Sequence, residues 1–286
     1  MPFEEACRRA LVSIGKRRKP STVQSYAKRL AAHWSGLAHL DVRMVTRTAI
    51  IRADHAQDWK SQKTRKDCLS ALSCVLQWAT DQRYIPSNPM RGYEKISHQR
   101  PDVEVFTDDE LSGISGHLKG TPKVLYALML QTGCRTGELQ ALQWSDVEPD
   151  ALKISGTIWK GKKSATTKNA RIRRVMLTVE AKRILKAHTS SRFSGGFVFK
   201  TQQGNPYDEK DLTRAFRKAC EAAGVAYRRP YTLRHTYASR ALSRGVEVAW
   251  LAEQMGDNVL TVMRHYARWI GGERDQRELA KLDTSW

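Results

Sequence analysis

Four side chains that lie far apart in the sequence have the chemistry needed to cut a phosphodiester bond. Arg135 stands in TGCRTGEL, Lys168 in TTKNARIRRV, Arg234 in YTLRHTYAS and Tyr266 in MRHYARW. Two guanidinium groups can each bind the nonbridging oxygens of a phosphate and offset the charge of a pentavalent transition state. A lysine can protonate the leaving oxygen, and a tyrosine can attack phosphorus to form a covalent intermediate. These residue types predict a phosphoryl-transfer site in which arginines take the electrostatic role of a metal ion.

The tyrosine needs help to act as a nucleophile. A phenol has a pKa of about 10, so only about one in a thousand is ionised near neutral pH. Nearby guanidinium groups favour the phenolate, and we expect Arg135 and Arg234 to lower the pKa of Tyr266. Tyr237 is the nearest rival for the role of nucleophile.

Each candidate also has a structural interpretation that needs no chemistry. Arg135 follows a helix-ending glycine and could simply cap a carbonyl group. Lys168 shares a basic segment with Lys160, Lys162 and Lys163, and any of these lysines could be a solvated charge or a contact to a phosphate backbone. The chemical interpretation therefore depends on all the groups occurring together.

Histidines and tryptophans near the candidates are predicted to be structural. His235 follows Arg234, and His265 precedes Tyr266. Because neighbouring side chains on a helix point about 100° apart, the two histidines are predicted to pack or to support other residues. The eight tryptophans, Trp250 among them, sit at helical core spacings and are predicted to be core residues.

The pattern of apolar residues predicts two domains, which a length of 286 residues allows. From Ser21 to about Ala79, apolar residues recur at helical spacing in several short segments, which predicts a bundle of roughly four helices. Three prolines and a polar, aperiodic composition mark an interdomain segment from about Pro86 to Val105. We assign a helical domain to residues 1–90, a linker to 91–105 and a second domain to 106–286.

The second domain is predicted to be mainly helical. It opens with FTDDELSGI, in which Thr107 and Glu110 have the spacing of a capping box. An apolar helix ends at Gly133, and short strands joined by Gly and Lys turns follow between residues 151 and 178. Helices return after these strands and continue to Tyr266. The predicted fold class is mainly α with a small antiparallel sheet (α+β).

The charge balance indicates a polyanion as the partner. Lys and Arg number 49 against 29 Asp and Glu, which gives a formal charge of +20 and a pI near 10.0. DNA and RNA lead the candidates. A membrane surface is a weaker candidate, because no apolar run approaches the roughly 18 residues of a membrane-spanning helix.

Five scattered cysteines form no C-x-x-C pair and the eight histidines do not cluster, so no metal and no cofactor is expected. We expect an intracellular protein with reduced thiols.

Four sequence boxes, in the right order, resemble those of tyrosine recombinases of the phage integrase family. LQTGCRTGELQALQWSDVE is similar to the first box of the family, YTLRHTYAS to the second, usually H-x-L-R-H-T, and MGDNVLTVMRHY to the last. The hairpin lysine of the family falls on Lys168. In the last box the family's nucleophile follows a histidine position by nine residues, and Tyr266 follows Asp257 by 266 − 257 = 9. The resemblance covers nearly the whole chain.

The resemblance implies a site-specific DNA recombinase. Residues 1–90 would be the core-type DNA-binding domain and residues 106–286 the catalytic domain, which together form a C-shaped clamp on double-stranded DNA. Strands would be cleaved one at a time through a 3′-phosphotyrosine and a free 5′-hydroxyl, without ATP or metal. Such enzymes work as homotetramers on two DNA sites, and accessory DNA-bending proteins are a further class of partner. The expected location is the bacterial cytoplasm, on DNA.

Two positions depart from the family pattern. Tyr231 stands where the family commonly has the histidine of H-x-x-R, and Asp257 where it has the histidine of L-G-H. Tyr231 can donate a hydrogen bond to a phosphate oxygen, whereas Asp257 can either accept the proton of Tyr266 or orient another group. We favour the orienting role for Asp257. A catalytically silent DNA-binding protein of the same fold and a relaxing topoisomerase with the same chemistry stay as alternatives.

Overall fold

The computed structural model divides into two compact units, Met1–Pro101 and Asp102–Trp286. It describes residues 1–94, 96–97, 102–159, 161–164, 172–188 and 196–270. The division falls inside the segment assigned to the linker, whose bounds stay a prediction. No helix in the described part of the chain combines the length and the apolar character that a membrane span requires.

The described residues of the first unit form four α-helices: α1 (Phe3–Gly15), α2 (Pro20–His33), α3 (Arg47–His55) and α4 (Gln62–Asp81). The last three coincide with the predicted helical segments. Helix α1 precedes Ser21 and so lies before the segment in which helical spacing was noted, although within the predicted helical domain of residues 1–90. A signal for this helix was present, because its buried side chains recur at the spacing of one helical face: Phe3, Ala6, Cys7 and Ala10.

The core of the first unit is built around α4. Ser61 caps this helix by accepting the backbone N–H of Thr64 at 3.1 Å. Buried residues such as Leu72 and Leu76 recur along α4 and pack against α1 and α2. The chain beyond α4 also contributes, since Met90 is buried in the same cluster.

One buried carboxylate in the first unit has a closed set of partners. Asp54 of α3 is 1% exposed. Arg65 of α4 donates to it through Nη2 at 2.7 Å and through Nε at 3.1 Å. The Trp59 ring N–H donates at 3.0 Å and the Tyr93 hydroxyl at 2.9 Å. This network ties α3, α4 and the segment after α4 together.

The second unit is mainly helical, with short strands. Its described helices are α5 (Asp108–His117), α6 (Gly120–Thr132), α7 (Thr136–Ala141), α8 (Val179–Ala187), α9 (Glu209–Ala222), α10 (Thr232–Ser243), α11 (Val248–Met255) and α12 (Val259–Tyr266). Its described strands are β1 (Ala151–Ile154), β2 (Thr157–Trp159), β3 (Lys162–Ser164) and β4 (Arg173–Met176).

The described strands form two antiparallel ladders, in agreement with the small antiparallel sheet that was predicted. Strand β1 pairs with β4, with Ala151 opposite Met176, and β2 pairs with β3, with Thr157 opposite Ser164. The β2–β3 ladder is nested within the connection between β1 and β4. Lys168, which was predicted to lie on a hairpin in this connection, is outside the described residues.

Most local predictions for the second unit are confirmed. The predicted capping box is present, because Glu110 N–H donates to the Thr107 hydroxyl at 3.2 Å and Thr107 N–H donates to the Glu110 carboxylate at 2.9 Å. Phe106, which precedes this cap, is buried with Phe216 of α9. A second apolar cluster holds α10, α11 and α12 together. The prediction for Trp250 was wrong: on α11 this side chain is 41% exposed and points away from the core.

Candidate active site

The turn that joins α6 to α7 positions Arg135. Helix α6 ends at Gly133, whose φ of +63° is a left-handed conformation that glycine adopts readily. A side chain at Gly133 would overlap the ring of Tyr237, which packs directly on it. Arg135 stands just before α7, and its backbone N–H donates to the carboxylate of Glu138 at 2.9 Å. Arg135 is thereby held at the start of a helix rather than on a free loop.

Arg234 lies in the first turn of α10 and is fully buried. Its guanidinium donates to the carbonyl oxygen of Gly133 and, at 2.5 Å, to the carboxylate of Asp257. Within the described part of the chain its Nε–H has no hydrogen-bond partner. An unpaired buried donor costs about 1–3 kcal/mol, so such a group in a native fold needs an explanation. A bound anion would supply the missing acceptor.

Asp257 occupies the turn between α11 and α12. Gly256 ends α11 with a φ of +66°, and a Cβ there would lie 2.8 Å from the guanidinium of Arg173. Asn258 caps α12 by accepting the N–H of Thr261 at 2.6 Å. Asp257, between these two signals, accepts one hydrogen bond from Arg135 at 2.6 Å. The Gly-Asp-Asn turn thus places one carboxylate against both arginines.

A second carboxylate extends this network inward. Glu138 of α7 is 2% exposed and accepts from Arg135 at 3.0 Å and from Arg173 of β4 at 2.8 and 3.1 Å. Burial alone would raise the pKa of the Glu138 carboxyl, but its bonds to Arg173 and Arg135 outweigh burial and hold this pKa below its usual value. Sequence reasoning assigned no role to Glu138 or Arg173. The position of Glu138, one helical turn after Arg135, was the available signal.

The network carries more positive than negative charge. Three arginines and two carboxylates are linked by ion pairs, which leaves 3 − 2 = 1 formal positive charge: Arg135, Arg173 and Arg234 against Glu138 and Asp257. Buried charges are normally paired, because removing an ion from water is costly. An uncompensated guanidinium at this place favours an anionic ligand.

Tyr266 is the last residue of α12 and is 3% exposed. Its hydroxyl lies 2.7 Å from Nδ1 of His235. Burial, the largest effect, raises the pKa of Tyr266 above its usual value, and the charges of Arg234 and Arg135 lower it by less. The arginines therefore act on the pKa of Tyr266 in the expected direction, but desolvation of the phenolate outweighs them.

His235 contacts the candidate nucleophile, although a packing role was predicted for it. Burial, followed by the positive charges of His265 and Arg234, lowers the pKa of His235 to about 4. The ring is therefore neutral near pH 7. The 100° separation between Arg234 and His235 does not exclude either from the site, because the first faces Asp257 and the second faces Tyr266. Spacing along the sequence did not show that α12 packs against the face of α10 that carries His235.

The remaining candidates differ in how closely they approach this centre. Tyr231 precedes α10, is 41% exposed and packs edge-on against His235, with ring centroids 4.9 Å apart. Tyr237 faces Gly133, and burial raises the pKa of Tyr237 to about 12. Lys168 lies outside the described residues, so the structure does not report its position. Among the described residues, His, Cys, Asp and Glu side chains form no group of three suited to a metal ion.

The fold and the site together define an α+β protein with a buried arginine–carboxylate network and a buried tyrosine. The sequence pattern of the phage integrase family matches residues 104–269, which is more than half of the chain. The chain belongs to the phage integrase family, and the resemblance seen in the four boxes is confirmed.

This chain is also similar to individual proteins of known family, both in sequence and in structure. The tyrosine recombinase XerC-like protein of Caldanaerobacter subterraneus subsp. tengcongensis is 30% identical over 243 residues, which cover 72% of this chain and 62% of the relative. The chain thus spans less than two thirds of that relative's length. The Tn1549 transposon integrase in complex with a circular intermediate DNA has a TM-score of 0.78 at 17% identity, covering 99% of this chain and 100% of the other.

A lambda integrase tetramer bound to a Holliday junction has a TM-score of 0.73 at 18% identity, covering 90% of this chain and 77% of the other. These likenesses confirm the predicted fold class of a mainly helical protein with short antiparallel strands.

Proposed function

We propose that this chain is a site-specific DNA recombinase that cleaves and rejoins DNA strands through a 3′-phosphotyrosine at Tyr266. The observation that carries the proposal is the meeting of two guanidinium groups, Arg135 and Arg234, on the two oxygens of one carboxylate. A phosphate diester presents two nonbridging oxygens of similar spacing and charge. The excess positive charge and the unpaired Nε–H of Arg234 would then serve the scissile phosphate.

The arginines supply the electrostatic part of catalysis. In the transition state they stabilise the negative charge that accumulates on the nonbridging oxygens, and their preorganisation by Asp257 and Glu138 removes the need to reorganise them at that moment. Asp257 acts as an orienting group, since both of its oxygens accept from guanidinium nitrogens. Tyr231, exposed at the mouth of the site, donates a hydrogen bond to a phosphate oxygen.

The covalent step transfers the phosphoryl group to Tyr266 and keeps its energy in the protein–DNA link. The 3′-phosphate becomes esterified to the phenol oxygen, and the 5′-oxygen leaves with a proton from Lys168 as general acid. Attack of a 5′-hydroxyl from a partner duplex reverses the step and completes the exchange. The reaction therefore uses neither ATP nor another energy source.

We propose double-stranded DNA as the partner and a homotetramer on two DNA sites, in the bacterial cytoplasm, as the working assembly. The net charge of +20 supports a polyanionic partner. A fold neighbour, the lambda integrase tetramer bound to a Holliday junction, supports a tetrameric assembly on DNA. Exposed apolar patches often mark surfaces that contact another protein copy. Four large apolar side chains are exposed on α11 and α12: Trp250, Val259, Leu260 and Met263.

Covalent capture from a random pool tests this function and finds the DNA site in the same experiment. The protein is incubated with nicked duplexes of randomised sequence, adducts that survive denaturation are recovered, and their DNA is sequenced. We expect adducts enriched in one sequence, and none above background with Tyr266→Phe, which should still bind DNA. DNA binding without adducts from the unaltered chain would contradict the proposal and indicate a silent DNA-binding protein. Adducts with plasmid relaxation but no exchange between two sites would indicate a topoisomerase.

A further inference from the structure

The hydroxyl of Tyr266 has an imidazole partner although both usual histidine positions of the family hold other residues. Tyr231 and Asp257 stand at those positions, yet Nδ1 of His235 lies 2.7 Å from the Tyr266 oxygen. We infer that His235 is the catalytic base that accepts the proton of Tyr266 during cleavage and returns it during rejoining. This inference rests on the proposed function, since it concerns the same covalent step.

Neither residue at the usual positions is placed to do this work. Both oxygens of Asp257 accept from guanidinium nitrogens, at 2.6 Å from Arg135 and 2.5 Å from Arg234. Tyr231 is itself a phenol and a poor base near neutral pH. Within the described residues, the hydrogen bond of the Tyr266 hydroxyl goes to His235.

The surroundings keep His235 neutral until DNA arrives. Tyr231 and Arg234 face its ring from its own helix, Asp257 from the turn before α12, and His265 and Tyr266 from α12 itself. Burial and the nearby positive charges lower the pKa of His235 to about 4, so Nδ1 offers a free lone pair when the proton is on Nε2. A bound phosphate adds negative charge, which favours the imidazolium.

Because phosphate binding favours the protonated form of His235, the phenolate of Tyr266 would form only in the DNA-bound state. In the free protein, a buried phenol with a raised pKa faces a weak base, and proton transfer is unfavourable. The scissile phosphate stabilises the imidazolium and brings phosphorus to the phenol oxygen. Activation of the nucleophile then depends on the substrate.

The proton and electron balance of the step is complete. The O–H bond of Tyr266 breaks, its proton goes to Nδ1 of His235, and the oxygen electron pair forms the bond to phosphorus. The bond from phosphorus to the 5′-oxygen breaks, and that oxygen takes a proton from the general acid. In rejoining, a 5′-hydroxyl returns its proton to the general acid and its oxygen bonds to phosphorus, while the phenol oxygen leaves phosphorus and recovers its proton from the imidazolium.

His235→Asn separates a base from a mere hydrogen-bond acceptor, because the amide oxygen can occupy the place of Nδ1 but cannot take a proton. On a captured DNA site, we expect His235→Asn to cleave about a hundredfold more slowly or worse, with unchanged DNA affinity. His117→Asn, which changes an exposed histidine in the last turn of α5, is the matched control and should cleave near the normal rate. A second variant, His235→Gln, guards against a local packing defect.

Two substrate and nucleophile changes make the test specific. Fluorotyrosine at position 266 has a lower phenol pKa and should recover much of the rate lost in His235→Asn. A 5′-phosphorothiolate substrate needs no acid for its leaving group and should not recover it. Cleavage near the normal rate by both His235 variants, or an equal loss with tyrosine and fluorotyrosine, would overturn this inference while leaving the proposed function intact. Absence of adducts with the unaltered chain would instead reject the proposed function.

Discussion

Each unit of the molecule buries an arginine–carboxylate network, and the two networks differ in their charge balance. In the first unit, Asp54 meets one arginine, Arg65, and its remaining acceptor sites take the Trp59 N–H and the Tyr93 hydroxyl. The buried carboxylate of Asp54 and the guanidinium of Arg65 neutralise each other, and a second carboxylate, that of Glu94 at 3.7 Å from Arg65, is exposed to solvent. Such a network braces helices and offers nothing to a ligand.

The network of the second unit is unbalanced and incomplete. Its three arginines exceed its two carboxylates, and the buried Nε–H of Arg234 has no acceptor within the described residues. Both networks contain bidentate ion pairs at similar distances, so ion-pair geometry alone does not distinguish a brace from a site. The residual positive charge does, and it favours an anionic ligand.

The largest effect expected from this difference is on cleavage. Arg135→Ala and Arg234→Ala should each reduce the rate of adduct formation by at least about 10²–10³, the usual scale for removing a transition-state donor. DNA binding should fall far less, because many phosphate contacts outside the site remain. Rates are measured by quenching single-turnover reactions on a captured site and quantifying the adduct.

The matched change in the first unit is Arg65→Ala. Because this substitution removes a structural contact between α3 and α4 and changes no residue of the candidate active site, the rate of DNA cleavage per folded molecule should be unchanged. The melting temperature should fall. A rate loss comparable to that of Arg234→Ala would show that the two networks do not differ in the way described.

The next effect concerns the stability of the first unit. Asp54→Asn leaves the mostly buried guanidinium of Arg65 with only the exposed carboxylate of Glu94, at 3.7 Å, as a charged partner, and breaking a buried pair costs up to about 3–5 kcal/mol. The free energy of unfolding, measured by chemical denaturation, should fall by that amount. Inorganic phosphate should not restore it, since no buried side-chain donor of this network is left unpaired among the described residues. Restoration by phosphate would mean that this region is an anion site after all.

Several features of the site were accessible from sequence because they depend on spacing along the chain. The boxes around Arg135, Arg234 and Tyr266 and the turn at Asp257 fall on helix ends, where Gly, Asn and Pro give strong local signals. The contact between His235 and Tyr266 was not accessible, because it depends on how α12 packs across α10.

The fold shows the same division between local and long-range information. Capping at Thr107 and the end of α6 at Gly133 were predicted from local sequence and are confirmed. The two separate ladders depend on which strands pair, and β1 with β4 is a pairing across a long connection. Arg173, whose partner Glu138 lies 35 residues away in the chain, belongs to the same long-range class.

A smaller effect is expected from Asp257→Asn. The substitution leaves three arginines against one carboxylate, 3 − 1 = 2 formal positive charges, and this larger charge should bind an added anion more strongly. Millimolar phosphate or sulfate should therefore raise the melting temperature of Asp257→Asn by more than it raises that of the unaltered chain. Equal shifts in both would indicate that the network has no specific anion site.

The smallest expected effect is that of Asp257→Asn on cleavage. Under the orienting role, the amide keeps the shape and much of the hydrogen bonding, so the rate should stay within about tenfold of normal, whereas loss of a general base costs about a hundredfold or more. Single-turnover rates between pH 5 and 9 distinguish the two. A large defect accompanied by loss of the acidic limb of the pH profile would make Asp257 the base and would displace His235 from that role.

The most direct test of the central claim is the identity of the residue that becomes linked to DNA. Captured adducts are digested with nuclease and protease, and the peptide that carries the nucleotide is sequenced by mass spectrometry. We predict a nucleotide 3′-phosphate on Tyr266, with none on Tyr231 or Tyr237. A link to either of those tyrosines, or to a residue that is not tyrosine, would contradict the assignment of Tyr266 as the nucleophile.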